Sequence, residues 1–230
     1  TVVKHIKEKG LVPIAKLHAF RDDRGSRGNN DMGVKYYDTK YTWLDNSPEN
    51  GGRGWLNPYS PRSREYIAAL CGELSQKGFS GIIVDSLQFP SGEGREKAGY
   101  GDTHGDKSTA LKECIEEISK SVEANGSVVT FAFDVRGIES DSEMLYGGDV
   151  TEFSQSNIML CTSLDNLDAA AEIASKFKSK SGRVPEIMLQ AYNDDGSQPT
   201  HDDMKKAIEK LEKIKVEGYC LFNPQGIYQF

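Results

Sequence analysis

Six short apolar runs, separated by stretches of helical periodicity, decide most of what this chain can become. They occupy residues 11–20, 81–89, 128–135, 157–164, 186–192 and 217–223. Most are continuous rather than alternating, the pattern of strands covered on both faces in a parallel sheet. The stretches between them carry helix start and stop signals. Ser60 before Pro61 offers a cap followed by a proline at the first helical position. Asp106 can cap the next helix, and Thr200 with Asp203 reads as a capping pair. Gly78, Asn125-Gly126 and Gly182 supply stops.

Strand then helix, repeated, predicts an α/β fold with right-handed crossovers. Six strands are two short of a closed (β/α)8 TIM barrel. The chain opens on a helical pattern, Val2 to Gly10, with no strand before it. The expectation is therefore one barrel domain over residues 1–230, lacking its N-terminal strand–helix–strand. An open doubly wound sheet is the alternative. Thr1 is not an initiator Met and no signal peptide precedes it, so the chain reads as a piece of something longer. An incomplete barrel would expose strand edges and favour oligomerisation.

Composition removes several classes. With 37% apolar and 27% charged residues, the chain is neither disordered nor a membrane bundle. No apolar run reaches the roughly 20 residues of a membrane span. A net charge of −7 argues against a nucleic-acid partner, which wants a basic face. Cys71, Cys114, Cys161 and Cys220 lack metal-site spacing and read as buried free thiols. No dinucleotide, P-loop or zinc motif appears, so no cofactor and no metal is expected. Asp22, Asp23 and Asp31 match no EF-hand spacing.

Two loops are too long to be plain connections. Residues 21–60 hold both tryptophans, Trp43 and Trp55, among tyrosines and short polar residues. Flat aromatic faces beside polar groups suit sugar rings, so Trp43 and Trp55 are candidate stacking platforms; a satellite core that pins the loop is the competing reading. Residues 91–105 form a second loop rich in glycine and charge. Both follow strands and so belong to the carboxyl-end face, where barrel active sites are built.

The strand ends carry the remaining candidates. Asp85 and Asp134 sit inside apolar strands, where an ionised carboxylate is costly unless paired. They fall on consecutive strands and suit a two-carboxylate mechanism. Lys16, His18, Asp22, Gln88, Gln190, Tyr192 and Asn223 are candidate substrate-binding residues. His104 and His201 look solvated.

These strand ends resemble the "Putative glycosyl hydrolase domain" family of bacterial TIM-barrel proteins, distant relatives of the alpha-amylase type. Gly10-Leu11-Val12-Pro13-Ile14-Ala15-Lys16 with Phe20-Arg21-Asp22, Trp55-Leu56-Asn57-Pro58-Tyr59, Lys77 through Asp85 with Phe89-Pro90, Phe133-Asp134-Val135, Leu189-Gln190-Ala191 and Gly218 through Tyr228 carry the likeness in order. The resemblance implies a glycosidase acting on an oligo- or polysaccharide outside the cell or at its surface. In it Asp85 is nucleophile or charge stabiliser and Asp134 acid/base. It also implies that the first strand, helix and second strand lie upstream of Thr1. Ser86 and Gln88 stand where the family has Tyr and Arg, Cys161 lies in a strand that has lost its aromatic, and Met188 replaces a Trp. These departures motivate the alternative of a carbohydrate- or cell-wall-binding barrel without turnover.

Overall fold

The computed structural model describes residues 1–28, 31–102, 105–153, 157–193, 197–214 and 216–226. His104 and Tyr228, named above, lie outside them. The chain forms two compact units, Thr1–Phe131 with Glu143–Gly148, and Ala132–Ser142 with Asp149–Phe230.

The first unit contains α1 (Val2–Glu8), β1 (Ile14–His18), α2 (Asp23–Gly28), β2 (Lys35–Tyr36), α3 (Pro61–Gln76), β3 (Gly81–Asp85), β4 (Ala98–Gly99) and α4 (Lys107–Glu123). Next come β5 (Val128–Asp134) and α5 (Val135–Tyr146), which have residues in both units. The second unit adds β6 (Ile158–Thr162), α6 (Leu167–Ser181), β7 (Glu186–Gln190), α7 (His201–Lys213) and β8 (Tyr219–Phe222). All six expected runs form strands, and the sheet order is β1-β3-β5-β6-β7-β8. β1 pairs with β3, β3 with β5, β6 with β7 and β7 with β8, each in parallel. The order never reverses, whereas a doubly wound sheet has a switch point where it must. The alternative fold is thereby excluded, and the alternation of parallel strand and helix is that of a barrel lacking strands.

The helix ends obey local chemistry. Ser60 caps α3 by accepting from the Ser63 N–H, with Pro61 opening the helix. Asp106 caps α4 through Thr109, and Thr200 and Asp203 form a reciprocal capping box on α7. Gly182 ends α6 at φ +71°, a conformation that costs glycine nothing.

In the first unit α3 packs along α4, burying Ile67 and Cys71 from one helix and Leu111, Cys114 and Ile118 from the other. Each large apolar side chain removed from water contributes roughly 1.5–3 kcal/mol. Arg64 is buried beside this seam. It is satisfied by Glu113 at 2.8 Å and by the carbonyls of Pro58 and Tyr59. In the second unit α6 buries Leu167, Ala170, Ile173, Ala174 and Phe177. Phe133 stacks on Phe153 there, with ring centroids 5.6 Å apart.

Candidate active site

The two long loops of the first unit form one structure. β2 pairs antiparallel with β4, joining residues 21–60 to residues 91–105. Single bridges tie Gly33 to Leu56, Lys35 to Thr42 and Leu44 to Gly54. The Trp43 indole donates to the Gly94 carbonyl at 3.0 Å, and Asn57 to that of Tyr100 at 3.2 Å. Asp45 is the anchor beneath. Its carboxylate accepts from Arg21 Nε at 2.9 Å, the Arg53 N–H at 2.7 Å and Trp55 Nε1 at 3.1 Å. At Gly92 a Cβ would lie 2.2 Å from the Asp45 carbonyl oxygen, so only glycine fits. The rings of Tyr59, Phe89 and Tyr100 meet edge to face at 4.8–5.7 Å.

This architecture corrects the expectation for the tryptophans. Trp43 is 0% exposed and Trp55 2%. Neither presents a ring face to solvent, and both indole N–H groups are engaged. They are the core of the loop rather than platforms for sugar. The aromatic side chains the loop does expose are Tyr37 and Tyr41.

At the carboxyl end of β1 and β3 the register sets His18 opposite Asp85. Lys16 sits two residues earlier on the same face of β1, and its ammonium reaches Oδ2 of Asp85. The Ser86 N–H donates to Oδ1 at 2.6 Å. His18 Nδ1 is 2.9 Å from Ser86 Oγ and 3.9 Å from Asp85 Oδ2. Burial lowers the His18 pKa below its usual value, outweighing the pull of Asp85, and Lys16 and Arg21 reinforce the drop. These surroundings favour the neutral form of the imidazole.

Ser86 adopts φ +55°, the left-handed region that a non-glycine residue enters at a cost of order 1 kcal/mol or more. This turn ends β3 at Asp85, four residues short of the apolar run. Backbone bonds hold it: the Ala19 N–H donates to the Asp85 carbonyl at 2.7 Å, and that of Phe20 to the Ser86 carbonyl at 3.2 Å. Strain of this kind collects where a side chain must be aimed. Gln88, next along, accepts from Tyr146 Oη and donates to Ser91 Oγ, both at 3.3 Å.

A cleft of about 470 Å³ opens beside His18, lined also by Arg21, Asp22, Asp23, Arg24 and Arg53. Asp22 accepts from the Gly25 N–H at 2.9 Å and from Tyr66 Oη at 3.1 Å. Asp23 accepts from the Gly54 N–H at 2.7 Å and Arg27 Nε at 2.8 Å. Sequence reasoning missed the role of Asp45 and the arginine lining; the charged run from Arg21 to Arg24 was the available signal.

In the second unit Asp134 ends β5 with 48% of its side chain exposed. Oδ1 accepts the Arg136 N–H at 2.8 Å, and Arg136 Nε lies at 3.8 Å. Gln190 and Tyr192 line a cleft of about 530 Å³ with Ser163, Asp165, Asn193, Asp203, Lys206 and neighbouring α6 and α7 residues. Asn223 is a correction. It is 5% exposed, and its amide nitrogen donates to the Ala191 carbonyl and to Gln198, each at 3.1 Å. Its side chain fastens β8 to the loop after β7 and is not offered to a substrate. The cysteines are also only partly as expected: Cys71 and Cys114 are buried, Cys161 and Cys220 half-buried. Among the described residues no three His, Cys, Asp or Glu side chains gather to hold a metal ion. No helix among them is long and apolar enough to cross a membrane.

A family model described as "Putative glycosyl hydrolase domain" matches residues 1–165, well over half of the chain. The chain belongs to this family. No curated protein matches the sequence of this glycosyl hydrolase domain. Solved structures share its fold. The glycoside hydrolase domain of PgaB (BpsB) from Bordetella bronchiseptica is 13% identical, with 95% of this chain and 72% of that one covered and a TM-score of 0.70. Aspergillus fumigatus Ega3, solved in complex with galactosamine, is 13% identical over 96% of this chain and 78% of its own, with a TM-score of 0.56. The glycoside hydrolase domain of PelA from Pseudomonas aeruginosa is 14% identical over 96% and 80%, with a TM-score of 0.53. With 95% of the chain covered by the PgaB likeness and a sheet of six strands in sequential order, the glycosyl hydrolase domain has the fold of a partial TIM barrel.

Proposed function

We propose that this domain hydrolyses glycosidic bonds of an extracellular or cell-surface polysaccharide by a two-carboxylate mechanism. The residues 1–230 act in it as one domain. The carrying observation is Asp85: a strained turn aims it from the carboxyl end of a parallel strand, and both its oxygens accept from nitrogen donors. A carboxyl group bonded in this way is an acceptor, suited to nucleophile or charge stabiliser rather than proton donor. Asp134, half exposed and with Arg136 on one oxygen only, is assigned acid/base. Galactosamine in the Ega3 complex supports a sugar as the ligand of this fold. His18, Asp22, Gln88, Gln190 and Tyr192 are proposed to contact substrate, and Lys16 to position Asp85.

One observation favours a second reading, sugar binding without turnover. A carboxylate committed to the Lys16 ammonium must be released before it can attack. The two readings separate on Asp85→Asn and Asp134→Asn. Reducing-end release from a polysaccharide panel should disappear in both variants while binding persists. Unchanged release in Asp85→Asn would overturn the mechanism; binding by the wild type with no release anywhere selects the second reading.

A further inference from the structure

The cleft beside His18 has a charge character opposite to that of the chain. The net charge is −7, yet three of the six lining residues are arginines. What matters is which of those charges are already used. Asp22 is engaged by Gly25 and Tyr66, and Asp23 by Gly54 and Arg27, so both acids hold the loop in place. Arg21 spends its Nε on the buried Asp45. Arg24 and Arg53 are exposed, and among the described residues their guanidinium N–H groups donate no hydrogen bond and close no ion pair, although the Arg53 charge acts through space on Asp23.

Two guanidinium groups with open N–H donors on one cleft are matched to a specific chemistry. Each presents a planar fork of N–H donors that fits a flat or tetrahedral oxyanion in bidentate fashion. The position is also informative. His18 lines this cleft and lies 3.9 Å from Asp85, so an occupant would adjoin the proposed nucleophile. A volume of about 470 Å³ admits a monosaccharide with its substituent.

We propose that this cleft is a subsite for the anionic group of an acidic saccharide, a uronate carboxylate or a sulfate ester, held by Arg24 and Arg53. The assignment rests on reading the domain as carbohydrate-active and names the class of sugar it prefers. The two substituents share the same recognition chemistry, and the test separates them.

The experiment is calorimetric titration of the full chain with three oligosaccharides of equal length: a glucuronate-containing one, a sulfated one and a neutral one. One or both acidic ligands should bind about 10- to 100-fold more tightly than the neutral one, the range of charge-assisted hydrogen bonds. Whichever acidic ligand carries the preference names the substituent. The preference should shrink as salt rises and disappear in the double variant Arg24→Gln, Arg53→Gln. Thermal unfolding of that variant reports whether it folds; exposed side chains that close no ion pair should leave it near wild type. Equal affinity for acidic and neutral ligands overturns the subsite, as does an undiminished preference in a folded double variant. Turnover in Asp85→Asn is scored separately. An acidic preference combined with unchanged turnover there supports the subsite and overturns the two-carboxylate mechanism. A neutral preference combined with lost turnover does the reverse.

Discussion

The ammonium of Lys16 rests on Oδ2 of Asp85, one strand over and two positions further along the register. Only 18% of the lysine side chain and 27% of the aspartate side chain meet solvent. The pair is therefore shielded enough to matter and open enough to be reached. Lys16→Met should leave Asp85 with the Ser86 N–H and His18 as its near neighbours. Losing one partner of a fully buried pair costs about 3–5 kcal/mol; this pair, part-exposed, should cost about 1–3 kcal/mol in urea unfolding. Activity should fall with it, and a variant of wild-type stability and activity would remove Lys16 from the site.

Asp85→Asn should reduce kcat by at least about 10²–10³-fold, the scale of losing one preorganised electrostatic contact. The amide keeps the size of the side chain, so binding measured by calorimetry should change little. A comparable loss of binding would instead indicate a collapsed strand end.

Trp43→Ala tests the loop core. A buried tryptophan replaced by alanine costs about 3–5 kcal/mol. The midpoint of chemical denaturation should drop accordingly. Were Trp43 a sugar platform, the same change would weaken binding and leave stability intact.

Asp23 sets an acid-side dependence. Burial opposes its charged form, but the Gly54 N–H and Arg27 prevail, and its pKa lies below the ordinary aspartate value. Its contribution to stability is thus complete above the unfolded value of about 3.9 and fades as pH falls through the lower folded value. Asp23→Asn should flatten the stability curve below about pH 4. Thermal melts between pH 2.5 and 6 would show this, and an unchanged acid limb would contradict it.

Burial pushes the Cys71 thiol up to about 12 and raises that of Cys114 well above the usual value. Neither should react with a disulfide reagent in the native protein at pH 8, while the half-buried Cys161 and Cys220 should react first. Peptide mapping after brief labelling distinguishes the four.

Where local chemistry dictates structure, the sequence could be read. The caps at Ser60, Asp106 and Thr200 work within three residues, and each sits where the pattern placed it. The six strands announce themselves by continuous apolarity because helices cover them. The site was less legible, for a physical reason. Whether an indole faces solvent depends on what lies across from it, and for Trp43 that is Gly94, 51 residues away. The arginine cleft has the same origin, because Arg21 and Arg24 meet Arg53 only after the loop folds back. The turn at Ser86 breaks a run that reads as strand through Phe89, since φ +55° is imposed by bonds from Ala19 and Phe20 rather than by the serine itself.

The burial of Trp43 and Trp55 has a spectroscopic consequence. They are the chain's two tryptophans, and both lie in the segment between β1 and α3. Emission excited at the indole band therefore reports the docking of that one segment and is blind to the parallel strands. Far-ultraviolet circular dichroism is dominated by the helices. If the segment lifts before the helices melt, the two signals will trace different curves, and the interval between them will measure how independently the rim of this barrel opens.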